Sequence, residues 1–412
     1  MNLPTNWKDV ELKNYFSRLT RKNNERNTNV LTISAQHGLI SQQEFFNKSI
    51  ASEDKSNYFL LERGDFAYNK SYSVGYPFGA VKSLEKYDKG IVSPLYICFK
   101  KTTENKCPEY FLQYFEAGLA NKEICSVAQE GARNHGLLNI STEDFFKIKI
   151  AVPPLAEQQK IADILCEQDK IISLKQKLLE QKQKQKKWLM QKLLEVPHTN
   201  VNCEEKISLG GVVINKSRWK KERFSEFSEI VSGGTPRTDK SSFWNGDIYW
   251  CTPTDITSSE KYISVTEKRI TKKGLENSSA ILLPKDSILM CSRATIGPRC
   301  INKVPMTTNQ GFKSFIIKTN HAITEFVYYL IDICITDFKK LASGSTFIEL
   351  SKRDLSNYEI YLPTLPEQKI IAQVLSAADK EIALIKSSIE QEKQKKKSLA
   401  QLLLTGTVRV KT

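Results

Sequence analysis

The stretch PPLAEQQKIA at residues 153–162 recurs 210 residues later as PTLPEQKIIA at residues 363–372. Each copy continues into about forty residues that are rich in Leu, Ile, Gln, Glu and Lys. Proline can begin a helix but cannot continue one, so each copy predicts the start of a long helix. The sequence therefore predicts an internal duplication in which each half ends in a long helix.

The two predicted helices carry apolar residues at coiled-coil spacing, although polar residues such as Lys175 and Lys182 interrupt the pattern in the first helix. We predict that the helices pair with each other; a coiled coil between two separate chains is the alternative. At about 1.5 Å per residue each helix is about 60 Å long, roughly two turns of duplex DNA. The predicted seam of the helix pair is Ile161, Leu165, Ile172, Leu179, Leu189, Ile371, Leu375, Ile382, Ile385, Ile389 and Leu399.

The regions before the helices also correspond. Helix-capping signatures at residues 141–144 and 351–354 precede short strand-like segments, and LERGDFAY at residues 61–68 is echoed at residues 283–290. Short alternating strands, Gly-, Asn- and Ser-containing turns and a few helices predict α+β globules. The predicted domains are a first globule at residues 1–152, a helix at residues 153–196, a second globule at residues 197–362 and a second helix at residues 363–412.

The composition indicates a partner and a compartment. The net charge is +15, from 61 Lys and Arg against 46 Asp and Glu, which favours a polyanion such as nucleic acid over a merely solvated Lys-rich helix face. Nine dispersed Cys without metal-ligand spacing predict reduced thiols. Since no long apolar run occurs, we expect a cytoplasmic protein that does not contact a membrane.

The duplicated Pro-x-Leu-x-Glu-Gln-x-x-Ile-Ala helix start resembles the specificity subunit of type I restriction-modification systems. The second globule adds to this likeness with SGGTP at residues 232–236 and FWNGDI at residues 243–248. The resemblance covers essentially the whole chain. It implies two α+β target recognition domains separated by two long helices, which form an antiparallel coiled coil with pseudo-twofold internal duplication.

The resemblance also implies a function and a set of partners. Each domain would read one half-site of a discontinuous double-stranded DNA sequence, while the helix pair would fix the spacer and dock two methyltransferase subunits. Two restriction and translocase subunits would join in the full complex. S-adenosylmethionine, ATP and Mg would then be bound by these partner subunits.

The sequence contains no motif for chemistry of its own. A Gly-rich cofactor loop, an Asn/Asp-Pro-Pro-aromatic motif and a Gly-x4-Gly-Lys-Ser/Thr loop are all missing, and the His residues are too scattered to predict a metal site. We therefore expect no catalytic, cofactor-binding or metal-binding residue in this chain. The alternatives are a non-enzymatic DNA-binding regulator or decoy with the same fold and, less favoured, a stand-alone methyltransferase or nuclease.

Bases are read by Arg, Lys, Asn and Gln side chains on loops or helix starts, while other basic groups contact phosphates. Each candidate could instead be a turn former or a solvated charge, and the Lys-rich residues 182–187 and 393–397 could lie near phosphates or in solvent. The predicted DNA-binding residues are Asn69, Lys70, Tyr72, Lys82, Arg133 and Asn134 in the first globule and Thr235, Arg237, Lys240, Arg293, Asn309 and Gln310 in the second.

Overall fold

The structure is a computed structural model in which two compact units are recognised. Unit 1 comprises Met1–Lys177 and Lys386–Thr412, and unit 2 comprises Leu178–Ile385. Both boundaries fall within the long helices, so the predicted division into separate globules and helices stays a prediction. The described residues are 3–34, 38–46, 55–73, 75–102, 107–128, 138–195, 206–209, 211–258, 260–342 and 348–412.

Unit 1 contains the first globule and parts of both long helices. A short 3-10 helix at Leu12–Asn14 follows its first strand. Its elements are β1 (Lys8–Glu11), β2 (Phe16–Arg18), β3 (Leu31–Ser34), β4 (Gly38–Ser41), α1 (Gln42–Phe46), β5 (Phe59–Glu62), β6 (Phe66–Asn69), β7 (Ala80–Ser83), β8 (Lys89–Val92), β9 (Ile97–Lys101), α2 (Pro108–Glu116), α3 (Asn121–Val127), α4 (Thr142–Lys147) and β10 (Lys149–Val152). The helix that follows, α5, spans Leu155–Leu194, and its residues up to Lys177 belong to unit 1.

Unit 2 contains the second globule, the rest of α5 and the first part of the last helix. Short 3-10 helices lie at Lys216–Arg218 and Ser241–Phe243. Its elements are β11 (Lys206–Leu209), β12 (Val212–Asn215), β13 (Lys220–Arg223), α6 (Phe224–Phe227), β14 (Ser228–Ser232), β15 (Trp244–Cys251), α7 (Pro253–Ser258), β16 (Tyr262–Ile263), β17 (Lys268–Ile270), α8 (Lys272–Glu276), β18 (Ile288–Cys291), β19 (Arg299–Asn302), β20 (Met306–Thr308), β21 (Phe312–Ile317), α9 (Thr324–Leu341), α10 (Lys352–Asn357) and β22 (Glu359–Leu362). The last helix, α11, spans Leu365–Leu404, and its residues up to Ile385 belong to unit 2.

The central sheet of the first globule runs in the order β2-β9-β6-β7, with antiparallel neighbours. Successive residues of a strand face opposite sides of a sheet. Phe66 and Tyr68 of β6 accordingly join an aromatic core with helix residues such as Phe111, whereas Ala67 packs with Leu31 on the other face. Both faces of the sheet are covered, which explains why β6 is almost entirely buried.

The central sheet of the second globule runs in the order β14-β21-β18-β19-β16. Ile288 and Met290 of β18 face a core that includes Phe326 of α9, while Leu289 and Cys291 face a second cluster. A smaller sheet with the order β17-β15-β20 supplies residues to that second cluster. The second globule therefore buries both faces of its sheet in the same way as the first.

The two globules share one topology. The order β2-β9-β6-β7 recurs as β14-β21-β18-β19, and the β1–β10 ladder recurs as the β13–β22 ladder. The short helices α4 and α10 are capped by Ser141 and Ser351, whose hydroxyls accept from the backbone N–H three residues later. The predicted α+β fold with an internal duplication is confirmed.

The two long helices run antiparallel in each unit. In unit 1, Lys175 of α5 pairs with Glu392 of α11 at 2.7 Å. In unit 2, Lys182 pairs with Glu381 at 2.7 Å. Within unit 1, Asp169 of α5 also pairs with Lys396, and within unit 2, Lys186 also pairs with Asp379. In each unit the partner's number therefore falls as the number on α5 rises, which is the order of an antiparallel pair. The lysines that interrupt the apolar pattern of α5 thus make contacts between the helices.

The predicted seam positions differ in what covers them. Ile161 and Leu165 belong to the core of the first globule, and Ile371 and Leu375 belong to that of the second. These positions lie near the start of each helix, where the helix packs on its own globule. Ile172 and Ile389 are buried, and the half-buried positions are Leu179, Leu189, Ile382, Ile385 and Leu399.

Candidate nucleic-acid interface

The repeated Glu-Gln pair joins each long helix to its globule. The side-chain amide of Gln158 donates to the carbonyl of Pro153 at 2.8 Å, and that of Gln368 donates to the carbonyl of Pro363 at 2.9 Å. The oxygen of Gln368 also accepts from the backbone N–H of Ile323 in the second globule. The glutamine therefore fixes the turn that enters the helix, which explains why it recurs.

The preceding glutamate is buried in both copies. Glu157 accepts from the indole of Trp7 at 3.1 Å and from Arg409 at 2.6 Å. Glu367 accepts from the backbone N–H groups of Thr364 and Asn215. A carboxylate in the first turn of a helix is also stabilised by the helix dipole. Both carboxylates therefore have structural partners at the junction between globule and helix.

Three predicted DNA-binding residues of the first globule lie on the β6–β7 hairpin. Asn69 ends β6, and its side-chain oxygen accepts from the backbone N–H of Ser71 at 3.1 Å. Lys70 and Tyr72 follow in the loop, where the Tyr72 side chain is 63% exposed. This loop therefore carries a half-buried amide, a half-buried ammonium group and an exposed aromatic ring.

The fourth residue of this group, Lys82, is held inside the same hairpin. Its ammonium group pairs with the carboxylate of Glu116 and lies 5.1 Å from the centre of the Tyr76 ring. The hydroxyl of Tyr76 donates to Glu116 at 2.6 Å. The charge of Lys82 therefore already has a partner within the first globule. A contact between Lys82 and DNA stays a prediction.

Arg133 and Asn134 lie outside the described residues. The chain is described again from Leu138, whose backbone N–H donates to the carbonyl of Lys70 at 3.1 Å. The ammonium group of Lys70 also donates to the carbonyl of Ile140. The segment that follows the two predicted residues is therefore attached to the hairpin loop.

In the second globule, two loops meet at the positions that the sequence singled out. The hydroxyl of Thr235 donates to the side chain of Gln310, and the side-chain oxygen of Asn309 accepts from the N–H of Gly311 at 2.9 Å. A Cβ at Gly233 would lie 1.9 Å from the carbonyl oxygen of Asn309. Only glycine allows the loop to approach this closely.

Arg293 joins the same surface through the β18–β19 hairpin. The N–H of its neighbour Ser292 donates to the carbonyl of Gly311 at 2.8 Å, and the Arg293 side chain lies 3.9 Å from Glu349. Thr235, Arg293, Asn309 and Gln310 thus form one patch, which we call the second-globule patch. Arg237 and Lys240 lie on the loop that continues from it, where Arg237 pairs with Asp239 at 2.7 Å.

The hairpins of the two globules occupy equivalent places. Leu350 donates its backbone N–H to the carbonyl of Ser292, as Leu138 does to that of Lys70. Each hairpin is thereby attached to the segment before the capped helix α4 or α10. The predicted residues of both globules therefore include residues on the same topological loop, although the side chains differ.

Sequence reasoning missed an exposed basic strand at the edge of the smaller sheet of the second globule. Arg269 of β17 lies over the ring of Tyr249 on the neighbouring strand, 4.6 Å from its centre. Base-reading residues were expected on loops or helix starts, so basic residues on strands were not among the predicted DNA-binding residues. The adjacent pair Lys268 and Arg269 was the signal in the sequence that could have found it.

Six of the described cysteines are buried, whereas Cys166 is half-buried and Cys125 is exposed. Burial raises the pKa of Cys291 to about 11 and that of Cys98 to about 12, so both are protonated at neutral pH. Among the described residues, no group of three or more His, Cys, Asp or Glu could hold a metal ion. Within the same ranges, no helix is long and apolar enough to cross a membrane.

Two α+β globules of one topology, each joined by the same motif to an antiparallel pair of long helices, define an internally duplicated protein. The chain belongs to the type I restriction modification DNA specificity domain family, whose model matches it twice, at residues 4–182 and 216–394. DNA recognition is the role of this family. Its members are the non-catalytic subunits of type I restriction enzymes, so the chain is not itself an enzyme.

The relatives include specificity subunits from Methanocaldococcus jannaschii. The putative type I restriction enzyme MjaX specificity subunit is 26% identical over the whole of this chain and 95% of the relative. The type I restriction enzyme MjaIX specificity subunit is 40% identical over 164 residues. That alignment spans 39% of this chain and 38% of the relative, so it concerns less than half of either protein.

Two solved structures share the fold. A chain of a type I R-M system, studied for its complex assembly and conformational transition, matches with a TM-score of 0.59 and 18% identity over 99% of this chain and 100% of that chain. The S subunit of a type I system from M. genitalium matches with a TM-score of 0.57 and 14% identity over 98% of each chain. At this identity the likeness concerns the fold alone.

Proposed function

We propose that the chain selects a split double-stranded DNA target, with one globule reading each half-site. The observation that carries this proposal is the equivalent pair of hairpins, β6–β7 and β18–β19, each attached in the same way to its globule. A duplicated chain can present two recognition surfaces as a dimeric repressor does. The different side chains on the two hairpins would let the half-sites differ in sequence.

The chemistry of both loops suits base edges. Asn69 and Gln310 carry side-chain amides, which can pair with adenine, and Arg293 carries a guanidinium group, which can pair with guanine. The net charge of +15 would supply the attraction to phosphates that any site shares. Recognition would then rest on a few amides and guanidinium groups, while the surrounding lysines would contribute affinity.

The helix pair would set the spacer between the half-sites. Helices α5 and α11 each run for 40 residues. Cross-helix ion pairs fix their register separately in each unit, at Lys396 and Asp169 and again at Lys186 and Asp379. An uninterrupted helix with a fixed register is a stiff spacer, unlike a loop of the same length.

The exposed faces of the same helices would dock two methyltransferase subunits. Leu174 on α5 is 65% exposed, and Leu384, its counterpart 210 residues later on α11, is 62% exposed. Trp188 on α5 is also more than half exposed. Contiguous exposed apolar surface marks interaction sites. Leu178, which is 41% exposed, lies one turn after Leu174 and extends the apolar surface of α5. Equivalent leucines on the two copies suit two copies of one partner.

The chemistry would belong to the partners. The methyltransferase subunits would bind S-adenosylmethionine, and two restriction and translocase subunits would use ATP and Mg in the full complex. The chain would work in the cytoplasm, where it would direct these activities to one DNA sequence.

The deciding experiment is adenine-methylation mapping in cells that express this chain with a cognate methyltransferase subunit. We expect methylation at a new split motif that is absent when the methyltransferase is expressed alone. The Leu174→Glu and Leu384→Glu variants should lose methylation while the purified chain still binds DNA. Binding without any methylation by the intact pair would instead support a DNA-binding regulator or decoy.

A further inference from the structure

Lys261 joins three elements of unit 2 at one point. It lies directly before β16, at the edge of the main sheet of the second globule. Its ammonium group donates to the hydroxyl of Tyr329 on α9 at 3.0 Å and to the hydroxyl of Ser376 on α11 at 2.8 Å. It also lies 4.3 Å from the centre of the Tyr329 ring. One side chain therefore ties the sheet to a globule helix and to a long helix.

The contacts continue from Lys261 to both long helices. The hydroxyl of Tyr329 donates to the carboxylate of Asp379 on α11 at 2.5 Å. The same carboxylate pairs with Lys186 on α5 at 2.5 Å. The chain of contacts from the sheet edge thus ends on the ion pair that fixes the helix register in unit 2.

The described part of unit 1 has the same contacts between its globule helix and the two long helices, but it has no counterpart of Lys261 among them. Gln113 on α2 takes the place of Tyr329, and its amide donates to Asp169, the counterpart of Asp379, at 2.8 Å. Asp169 pairs with Lys396 as Asp379 does with Lys186. The side-chain oxygen of Gln113 is buried and, in the described part of the chain, has no hydrogen-bond partner. Among the described residues, a lysine that donates to the contact between the globule helix and the long helix is therefore found in unit 2, as Lys261, and not in unit 1.

We propose that Lys261 is a positioning residue, which holds the second globule in one orientation on the helix pair and thereby narrows the range of spacer lengths that the protein accepts. This inference rests on the proposed function, because a spacer exists only if the chain reads a split target. A small rotation of a globule on a helix moves a distant base-reading loop by several ångströms. Fixing the junction therefore fixes the register of the second half-site.

The ammonium group of Lys261 is largely withdrawn from solvent. Burial lowers the pKa of Lys261 to about 8, with Lys186 and Lys303 acting in the same direction and the carboxylates of Asp379 and Glu325 opposing them. The aromatic rings around the ammonium group are those of Tyr262, Tyr328 and Tyr329. The lysine stays charged at neutral pH, and its geometry is defined by two hydroxyls and three rings rather than by solvent.

The test measures spacer selectivity in the complete methylation complex. The full chain is expressed with the methyltransferase subunit and with plasmids whose target has the natural spacer or one base pair more or less. We expect Lys261→Met to raise methylation at the altered spacers, relative to the natural one, by at least about threefold. Lys261→Arg keeps a cation with several donors and should restore selectivity. Lys340→Met is the matched control, because Lys340 on α9 is exposed and pairs with Asp337 on the same helix.

A second measurement does not depend on DNA. Amide hydrogen exchange of the isolated chain should be faster around Tyr329 and Ser376 in Lys261→Met than in the unmodified chain or in Lys340→Met. Unchanged exchange there, or an unchanged spacer ratio in a selective complex, would overturn the inference. A complex of the unmodified chain that methylates no split target would refute the proposed function, whereas the exchange experiment would still decide whether Lys261 holds the junction.

Discussion

Lys396 of α11 pairs with Asp169 of α5 at 2.6 Å, and the same contact recurs in the other unit between Lys186 and Asp379 at 2.5 Å. Each aspartate and each lysine has its counterpart 210 residues along the chain. The duplication therefore preserved a polar contact between the helices, with the two helices exchanging roles. A polar contact of this kind specifies register, since sliding one helix by a turn would leave both charges without partners.

The Lys396–Asp169 pair should be coupled in a double-mutant cycle. Lys396→Met and Asp169→Asn should each destabilise the chain, and the coupling free energy from urea unfolding should be roughly 0.5–1 kcal/mol, because both side chains are only partly buried. Lys393→Met is the matched control, since Lys393 pairs with Glu390 on its own helix in an exposed position. A coupling of zero would show that this ion pair does not contribute to the register.

Removing the buried carboxylate of Glu157 should cost more. Glu157 is 3% exposed and accepts from both Trp7 and Arg409, so Glu157→Gln leaves a buried indole and a guanidinium group with a poorer acceptor. We expect a loss of about 2 kcal/mol in the free energy of unfolding. Glu143→Gln, at an exposed i,i+4 pair with Lys147, should change it by less than about 0.5 kcal/mol. Equal effects of the two substitutions in chemical denaturation would contradict this account.

Much of the frame could be predicted from the sequence because its signals are local. The helix starts, the caps at Ser141 and Ser351 and the lengths of α5 and α11 depend on neighbouring residues, and the repeat shows each of them twice. The lysines that interrupt the apolar pattern of α5 have no partner that the neighbouring sequence indicates. Their partners, such as Glu392 and Asp379, lie about two hundred residues away, so their role became visible only in the folded chain.

The candidate site was less predictable for the same physical reason. Lysine is a residue type that often contacts DNA, and this suggested Lys82 as a candidate. The packing of α2 against β7, however, places Glu116 where it forms an ion pair with Lys82. Thr235 and Gln310 were chosen separately as loop residues, and the structure places them in hydrogen-bond contact. The residue type at a loop position can be read from the sequence, but its partner depends on how distant strands pair.

The stability of the chain should depend on pH through Lys261. Burial lowers its pKa to about 8, below the value of about 10.4 in an unfolded chain, so between these values the unfolded state binds more protons. Stability contributed at this site must therefore rise as the pH increases through about 8. We expect the melting temperature of the unmodified chain, relative to Lys261→Met, to increase from roughly pH 7 to roughly pH 9.5. A constant difference across this range would mean that Lys261 keeps an ordinary pKa.

Gln310 should contribute to sequence discrimination in one half-site only. It is exposed at the centre of the second-globule patch and contacts Thr235, so truncation to alanine removes an amide without opening the core. If this amide reads a base, Gln310→Ala should relax the preference at one position of that half-site by about 1–3 kcal/mol and leave the other half-site unchanged. Methylation mapping with the partner subunit measures both half-sites at once.

Gln373→Ala, at an exposed position on α11, is the control and should leave the motif intact. A uniform loss across all sequences would place Gln310 on a phosphate rather than on a base, because phosphate contacts carry no sequence information.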